Sequence, residues 1–257
     1  ITFTGTGGIL GGNLSDSIIN VNLEPMYDMS GTDSDDYFKA SANQPTKWGT
    51  GDYSITAWVN LDDWDATDMQ NSIFSQGGSN SSTDGTRIAV TNSGYIWATI
   101  ADGSVRVQFT TSNDKVELNS WNHIAVTFDR SASMHVYING VEQGSGTAIT
   151  SAALDVDNAA EIIWLGTFSG ARNLDGNIAD VRVYNDLLTE AEVKVLASKI
   201  FIDTSLGPGT ANLQAHWKLN ASLADSKGSC TLVGYNGGSI ASPDIVYDAF
   251  TTDIAPT

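Results

Sequence analysis

The acidic residues are the groups in this sequence best suited to chemistry, and they are of two unequal kinds. The chain of 257 residues contains 24 Asp and 6 Glu. An enzyme that hydrolyses a glycosidic bond with retention needs two carboxyl groups about 5 Å apart. Among the glutamates only Glu190 and Glu192 are close in sequence, and both fall on a predicted helix. We therefore predict that the chain is not an enzyme.

Nucleophilic and transition-metal chemistry also lack their usual residues. Cys230 is the only cysteine, so it can form neither an internal disulfide nor a paired-cysteine zinc site, and no base is apparent near it. The histidines, His123, His135 and His216, do not have the His-Glu-x-x-His or His-x-His spacing of zinc sites. No Gly-x-Ser-x-Gly motif is present. We predict no catalytic residue.

Binding is better supported than catalysis in one acidic segment, LDDWDATDM at residues 61–69. Carboxylate oxygens are ligands that Ca²⁺ prefers, but an EF-hand is excluded because its Gly and its final Glu are missing at the required spacing from Asp63. Trp64 places a flat ring beside Asp63 and Asp65, and we predict these three as ligand-binding residues. Two alternatives stay open: a solvated loop whose ring covers apolar surface, or a second calcium site.

Charge and hydropathy exclude two classes of partner. The formal net charge is −18, and the 12 basic residues are scattered. Nucleic acid binding needs clustered Lys and Arg, so we predict no nucleic acid partner. No run of eighteen apolar residues exists, so we predict no membrane insertion. The first residues, ITFTGTGGIL, lack the basic region of a signal peptide; the absent initiator Met favours a processed chain, so export stays open.

The elements that must position any site are β-strands. In HIAVTF, Ile124, Val126 and Phe128 fall on one face, which is the period of a half-buried strand. MHVYI repeats the alternation after the turn DRSAS, and Asn139-Gly140 then favours a tight hairpin. The segments YSITAWVNL, TRIAVTNSGYIWATIADGSVRVQFT, AEIIWLGTF and GNIADVRVYN show the same signals. The pattern predicts an all-β sandwich.

One segment, DLLTEAEVKVLASK, has the pattern of a helix. Thr189 and Glu192 have the spacing of a capping box, and Val193 and Leu196 form a short apolar stripe. The Pro/Gly break GPGT at 207–210 follows the helix.

The order of the segments resembles the laminin G-like, concanavalin A-like lectin/glucanase jelly rolls. MSGTDSDDYFKA is similar to the opening turn and strand of this family, and GDYSITAWVNL, SWNHIAVTFDRS and MHVYINGV are similar to its next three signatures. LDGNIADVRVYNDLLTEAEVKVL resembles its closing strand and terminal helical turn. The resemblance covers about residues 26–198, and it implies an antiparallel jelly-roll β-sandwich with one short C-terminal helix.

The resemblance also implies a structural calcium ion. Its carboxylate on the closing strand would be Asp180, with Asp35, Asp36 and Asp225 as candidate partners. The resemblance further implies that His123 is a structural contact and that Trp58, Trp121 and Trp217 are core residues. The motifs of the hydrolases and lyases that share this fold do not occur here.

One element departs from the family order. LQAHWKLNASLADSKGSCTLVG, at 213–234, resembles the first strand of such a domain but follows the helix. Either it begins a second domain or it folds back to complete the sheet, and we favour the second because chain ends of compact domains often lie close together. We therefore predict one domain over 1–257, with an arm or edge strand at 1–25, a core at 26–198 and a completing segment at 199–257.

The function predicted from these observations is a non-catalytic binding or adhesion module, displayed outside the cell or on a virion surface. Its partner would be a glycan, a cell-surface polysaccharide or another surface. The alternative is a structural or decoration protein of a phage particle or extracellular assembly, which would contact neighbouring subunits and bind no sugar. A homo-oligomer is compatible with both. A polysaccharide-active enzyme is a third and weaker reading.

Overall fold

A computed structural model describes residues 23–24, 27–29, 36–41, 48–64, 70–77, 84–112, 115–149, 155–156, 162–168, 172–201, 204–220, 222–235, 239–240 and 244–245. In chain order the strands are β1 (Leu23–Glu24), β2 (Tyr27–Asp28), β3 (Tyr37–Ala40), β4 (Tyr53–Leu61), β5 (Gln70–Gly77), β6 (Gly85–Thr91), β7 (Ile96–Ala101), β8 (Arg106–Thr110), β9 (Trp121–Phe128), β10 (Ser133–Ile138), β11 (Val141–Glu142), β12 (Thr147–Ala148), β13 (Trp164–Leu165), β14 (Gly176–Tyr184), β15 (Leu213–Trp217), β16 (Leu232–Tyr235), β17 (Ser239–Ile240) and β18 (Asp244–Ile245). The helix α1 spans Glu190–Leu196. Within the described part of the chain, no helix is long and apolar enough to cross a membrane.

Two antiparallel sheets form the sandwich. The nine-stranded sheet has the order β11-β10-β9-β4-β14-β2-β17, with β12 beside β10 and β15 beside β14. The seven-stranded sheet has the order β16-β3-β13-β5-β6-β7-β8. The short strands β1 and β18 pair with each other. The all-β jelly-roll prediction is confirmed.

The predicted strand faces are those that the core uses. Ile124, Val126 and Phe128 of β9 are buried in one hydrophobic cluster between the sheets, together with alternate residues of β4, β6, β7, β10 and β14. The hairpin turn is also as predicted, because Asn139 and Gly140 both have positive φ angles, 51° and 79°. Trp217 is fully buried in the same cluster, as expected.

The helix covers the outer face of the nine-stranded sheet. Thr189 and Glu192 form the predicted capping box. Val193 and Leu196 pack on outward-facing residues of the sheet, in a second cluster with Ala125, Tyr137, Tyr184, Leu188 and Leu213. A third cluster continues this layer past the helix, where Trp58 and Ala179 lie beneath Ile200, with Trp121 and Phe201 at its edge.

The segment that follows the helix contributes to both sheets. β15 pairs antiparallel with β14, and β16 pairs antiparallel with β3. The element resembling a displaced first strand therefore adds one strand to each layer of the same sandwich. The predicted arm at 1–25 lies outside the described residues except for Leu23–Glu24.

Candidate functional site

Asp180, the predicted calcium ligand, lies at a β-bulge in β14. Between Ala179 and Arg182, β14 has one residue more than the facing part of β4, and Asp180 has a φ of 49°. The bulge points its carboxylate into the layer beneath the helix. There Oδ1 accepts hydrogen bonds from Nε of Arg182 at 2.8 Å and, at 2.6 Å, from Nε2 of His216. Oδ2 accepts from the backbone N–H of Phe201 at 2.8 Å and from the Arg182 guanidinium at 3.1 Å.

These contacts keep the buried Asp180 carboxyl ionised. Burial alone would raise its pKa, but the hydrogen bond from His216 and the charge of Arg182 hold the pKa of Asp180 at about 2. Both of its oxygens are engaged by donors that a cation would have to displace, and one donor is itself a cation. Asp180 is therefore the anion of a buried ion-pair network to which His216 also belongs.

The two described candidate partners, Asp36 and Asp225, are not grouped with Asp180 to hold a metal. The carboxylate of Asp225 accepts backbone hydrogen bonds from His216 at 3.0 Å, Lys227 at 2.9 Å and Cys230 at 3.3 Å, and so holds its own loop in place. Asp36 precedes β3 in the opposite sheet, and Asp35 lies outside the described residues. No three His, Cys, Asp or Glu side chains of the described ranges are grouped to hold a metal. Calcium binding stays a prediction.

Trp64, the predicted ligand platform, packs against its own chain. Its indole N–H donates to the carbonyl of Val116 at 3.0 Å, and the Lys115 ammonium lies 4.7 Å from the ring centroid. The ring approaches Gly94 so closely that a Cβ there would lie 2.6 Å from it. Asp63 is exposed and accepts from the Trp64 backbone at 2.6 Å, whereas Asp65 lies outside the described residues. The ligand role of this segment stays a prediction.

An aromatic cluster that sequence reasoning did not identify lies on the outer face of the seven-stranded sheet. Lys39 of β3 pairs directly with Trp164 of β13, and Trp164 pairs in turn with Ser75 of β5. Directly opposed residues project from the same face of a sheet. Two residues before Lys39, and on the same face of β3, Tyr37 pairs with Tyr235 of β16. We call the set Tyr37, Lys39, Trp164 and Tyr235 the aromatic face.

The side chains of the aromatic face touch one another and are all partly exposed. The Tyr37 ring is stacked on Tyr235 with centroids 5.1 Å apart and planes 16° apart, and it is tilted against Trp164 at 5.3 Å. The Lys39 ammonium lies 5.1 Å from the Trp164 ring and 5.3 Å from the Tyr235 ring. This arrangement offers flat apolar surfaces with a hydrogen-bond donor held between them.

A buried arginine continues the same row of the sheet. Arg87 of β6 pairs with Ser75 of β5. Its guanidinium donates to the hydroxyl of Ser72 from Nε at 3.2 Å and from Nη2 at 2.6 Å. It lies between the Phe168 ring at 4.5 Å and the Trp97 ring at 5.2 Å. Burial, with the charge of Arg172, lowers the pKa of Arg87 to about 9. Arg87 therefore anchors the middle of this outer face beside the aromatic face.

Three of the described glutamates have structural partners. Glu192 closes the capping box, Glu190 pairs with Lys194 at 2.5 Å, and Glu142 pairs with His135 at 2.6 Å. Burial raises the pKa of the Cys230 thiol to about 12, which disfavours a thiolate nucleophile.

The family model described as the concanavalin A-like lectin/glucanases superfamily matches residues 31–194, which is more than half of the chain. The chain therefore belongs to that superfamily, as its resemblance predicted.

Solved structures show the same fold at low sequence identity. A candidate carbohydrate-binding protein from Bacteroides ovatus superposes with a TM-score of 0.61 and 17% identity, over 86% of this chain and 60% of that one. A heptameric SAP-like pentraxin from Limulus polyphemus superposes with a TM-score of 0.51 and 14% identity, over 83% of this chain and 96% of that one. The chain thus spans less than two thirds of the Bacteroides ovatus structure. No curated protein matches the sequence.

Proposed function

We propose that this chain is a non-catalytic binding domain that recognises a glycan through the aromatic face. The observation that carries the proposal is the contact of three partly exposed rings on one sheet surface, with neighbouring centroids 5.1 Å and 5.3 Å apart. In a protein whose other large apolar side chains mostly lie in cores, such a patch marks a site of interaction. The candidate carbohydrate-binding protein from Bacteroides ovatus, which shares the fold, supports the choice of a sugar as ligand.

The chemistry of the aromatic face suits a saccharide. A sugar ring has an apolar C–H face that packs on an aromatic plane, and hydroxyl groups at its rim. Trp164, Tyr37 and Tyr235 supply planes, and the ammonium of Lys39 supplies donors for hydroxyl oxygens. The two tyrosine hydroxyls can donate or accept.

Three other elements of the proposal rest on sequence alone. They are a structural calcium ion, display outside the cell or on a virion surface, and self-association. The assembly or decoration function has the same fold requirement, and it becomes an outcome of the experiment below.

A glycan array tests the proposal with three proteins and two conditions. The proteins are the wild type, Trp164→Ala and the matched control Trp121→Ala, which removes another partly exposed tryptophan from the opposite sheet. Each is applied with calcium and with EDTA. We expect binding by the wild type and by Trp121→Ala, and loss of signal in Trp164→Ala.

Two outcomes contradict the proposal. One is silence of the wild type across marine, algal and bacterial glycans, accompanied by an assembly on size-exclusion chromatography, which supports the decoration function. The other is equal binding by Trp164→Ala and the wild type, which moves the site away from the aromatic face. Loss of binding in EDTA alone supports the calcium prediction.

A further inference from the structure

A cavity of about 570 Å³ opens beside the helix, on the side of the sandwich opposite the aromatic face. Its described lining includes Lys199, Lys218 and Lys227, with His216 and Ser226 among the other polar residues. Three of the seven lysines in the chain therefore converge on one cavity, in a protein of net charge −18. The described lining residues include no Asp and no Glu.

The lysines reach the cavity from three separate segments. Lys199 follows α1, Lys218 follows β15, and Lys227 lies in the loop before β16. Lys227 is tied across the rim, since its ammonium donates to the carbonyl of Thr210 at 3.0 Å. Lysines contributed by separate segments can reach an anion whose oxygens point in different directions.

Two acids bonded to the lining residue His216, Asp180 and Asp225, have partners of their own. Asp180 lies behind His216 and is neutralised by Arg182, with Nε and Oδ1 2.8 Å apart. The carboxylate of Asp225 accepts hydrogen bonds from the backbone N–H groups of His216, Lys227 and Cys230. The described lining itself thus contributes three lysines and no carboxylate, which favours a positive potential in the cavity.

The rest of the lining indicates an organic ligand rather than a bare ion. Phe201, Leu206 and Leu213 form an apolar wall, and Thr204 and Thr210 add hydroxyl groups. Phe201 is held there because its backbone N–H donates to Asp180 at 2.8 Å. The volume lies within the range of about 300–1,000 Å³ that is typical of small-molecule sites.

We propose that this cavity, which we call the lysine pocket, binds a small organic molecule that carries a sulfate or phosphate ester. Lysine is a compact point charge that binds phosphate groups, and a sulfate or phosphate ester offers three terminal oxygens to several lysines, whereas a carboxylate offers two oxygens in one plane. The apolar wall and the threonine hydroxyls contact the organic body of the ligand. The lysine pocket is separate from the aromatic face and goes beyond the proposed glycan site.

Calorimetric titration at low salt tests the proposal with four probes: glucose 6-sulfate, glucose 6-phosphate, glucuronate and glucose. We expect one or both of the esters to bind, glucuronate to bind at least about tenfold more weakly, and glucose not to bind. Added sodium chloride weakens ester binding, because salt screens the lysine charges. The ratio of the two ester affinities identifies sulfate or phosphate as the preferred group.

Two variants with the same change in net charge locate the site. Lys218→Gln/Lys227→Gln removes two lysines of the lysine pocket, and Lys115→Gln/Lys194→Gln removes two lysines outside it. Ester affinity falls at least about tenfold in the first variant and less than about threefold in the second. The thermal midpoint of each variant checks that it folds. Acetylation of wild-type lysines, read by mass spectrometry, gives a second readout: the ester protects Lys199, Lys218 and Lys227 but not Lys115.

The proposal is overturned if neither ester binds at millimolar concentration, if glucuronate or glucose binds as well as the esters, or if both double variants lose the same affinity. Failure of the glycan site is distinguishable, because Trp164→Ala removes binding at the aromatic face and leaves ester binding unchanged.

Discussion

The two outer faces of the sandwich use the same strand geometry for opposite purposes. On the nine-stranded sheet the outward side chains are covered by α1 and by the segment after it, and they form two further hydrophobic clusters. On the seven-stranded sheet Tyr37, Trp164 and Tyr235 of the aromatic face keep part of their ring surface exposed. One face has therefore become a second core, and the other is available to a ligand.

The polar groups of the two faces differ in the same way. Beneath the helix, Asp180, Arg182 and His216 are each almost fully buried and bind one another. On the aromatic face, Lys39 lies over rings and stays half-exposed. Breaking a buried ion pair is strongly destabilising, because it leaves one charge buried without its partner. An exposed cation beside aromatic rings, by contrast, is accessible to a ligand. Substitutions should thus affect stability on the first face and binding on the second.

The largest expected effect is on the stability of the covered face. Asp180→Asn keeps the side-chain shape but leaves the Arg182 guanidinium buried without a counter-charge, so the free energy of unfolding should fall by about 3–5 kcal/mol. Urea unfolding measures the change. Asp102→Asn, at a carboxylate in an exposed turn, is the control and should lose much less. Equal losses of unfolding free energy in the two variants would show that the Asp180 network does not stabilise the fold.

The next largest expected effect is on glycan affinity, at the aromatic face. Trp164→Ala should weaken glycan binding by about 2 kcal/mol, or about thirtyfold in Kd, because a central aromatic contact is removed. Its free energy of unfolding should change less than that of Asp180→Asn, since the ring is partly exposed in the folded state. Calorimetry and urea unfolding on the same samples give both numbers. A variant that loses stability in proportion to affinity would contradict the separation of the two faces.

The covered face should also make stability depend on pH. Burial, opposed by the charge of Asp180, lowers the pKa of His123 to about 3, so the folded protein keeps this imidazole neutral. In the unfolded chain, the His123 imidazole binds a proton near pH 6.5. The stability that the neutral His123 contributes is therefore complete above that pH and is lost as the pH falls below it. The loss is about 1.4 kcal/mol per pH unit.

His123→Gln isolates this contribution. The difference in unfolding free energy between the wild type and His123→Gln should shrink steadily between pH 6.5 and pH 4.5. Below about pH 4, protonation of Asp180 adds a loss that both proteins share, because its pKa is also lowered in the folded state. A difference that is constant with pH would show that His123 does not remain neutral.

The smallest effect is expected at the solvent side of the helix. Lys194 pairs with Glu190 one turn away at 2.5 Å, with more than half of each side chain exposed. Lys194→Gln should reduce the free energy of unfolding by only about 0.3–0.5 kcal/mol. Thr189→Ala, which removes the helix cap, should reduce it by about 1 kcal/mol. The reversed order in thermal unfolding would contradict the local account of the helix.

Local patterns predict much of this fold. Alternation assigned Ile124, Val126 and Phe128 to the core, and the Thr189–Glu192 spacing identified the helix cap, because both signals are contained within a few residues of chain. Asn139-Gly140 likewise determines its own turn.

The candidate sites could not be predicted in this way, since they depend on pairings between distant segments. Tyr37 and Lys39 can be placed on one face by alternation, but their contacts with Trp164 and Tyr235 depend on the register of three strands. The Asp180 network depends on a bulge that turns one carboxylate toward β15, and sequence spacing alone does not reveal it. The resemblance implied a calcium ligand at Asp180, and the hydrogen bonds of its carboxylate with Arg182 and His216 appear only in the structure.

The position of a bound sugar tests the central claim most directly. A crystal structure of the chain with the strongest oligosaccharide from the array should show a sugar ring packed on Trp164 within about 4 Å, with Tyr37, Tyr235 or Lys39 in contact. A sugar bound at Trp64, in the lysine pocket or at the edge of the sandwich, with the aromatic face empty, would contradict the account.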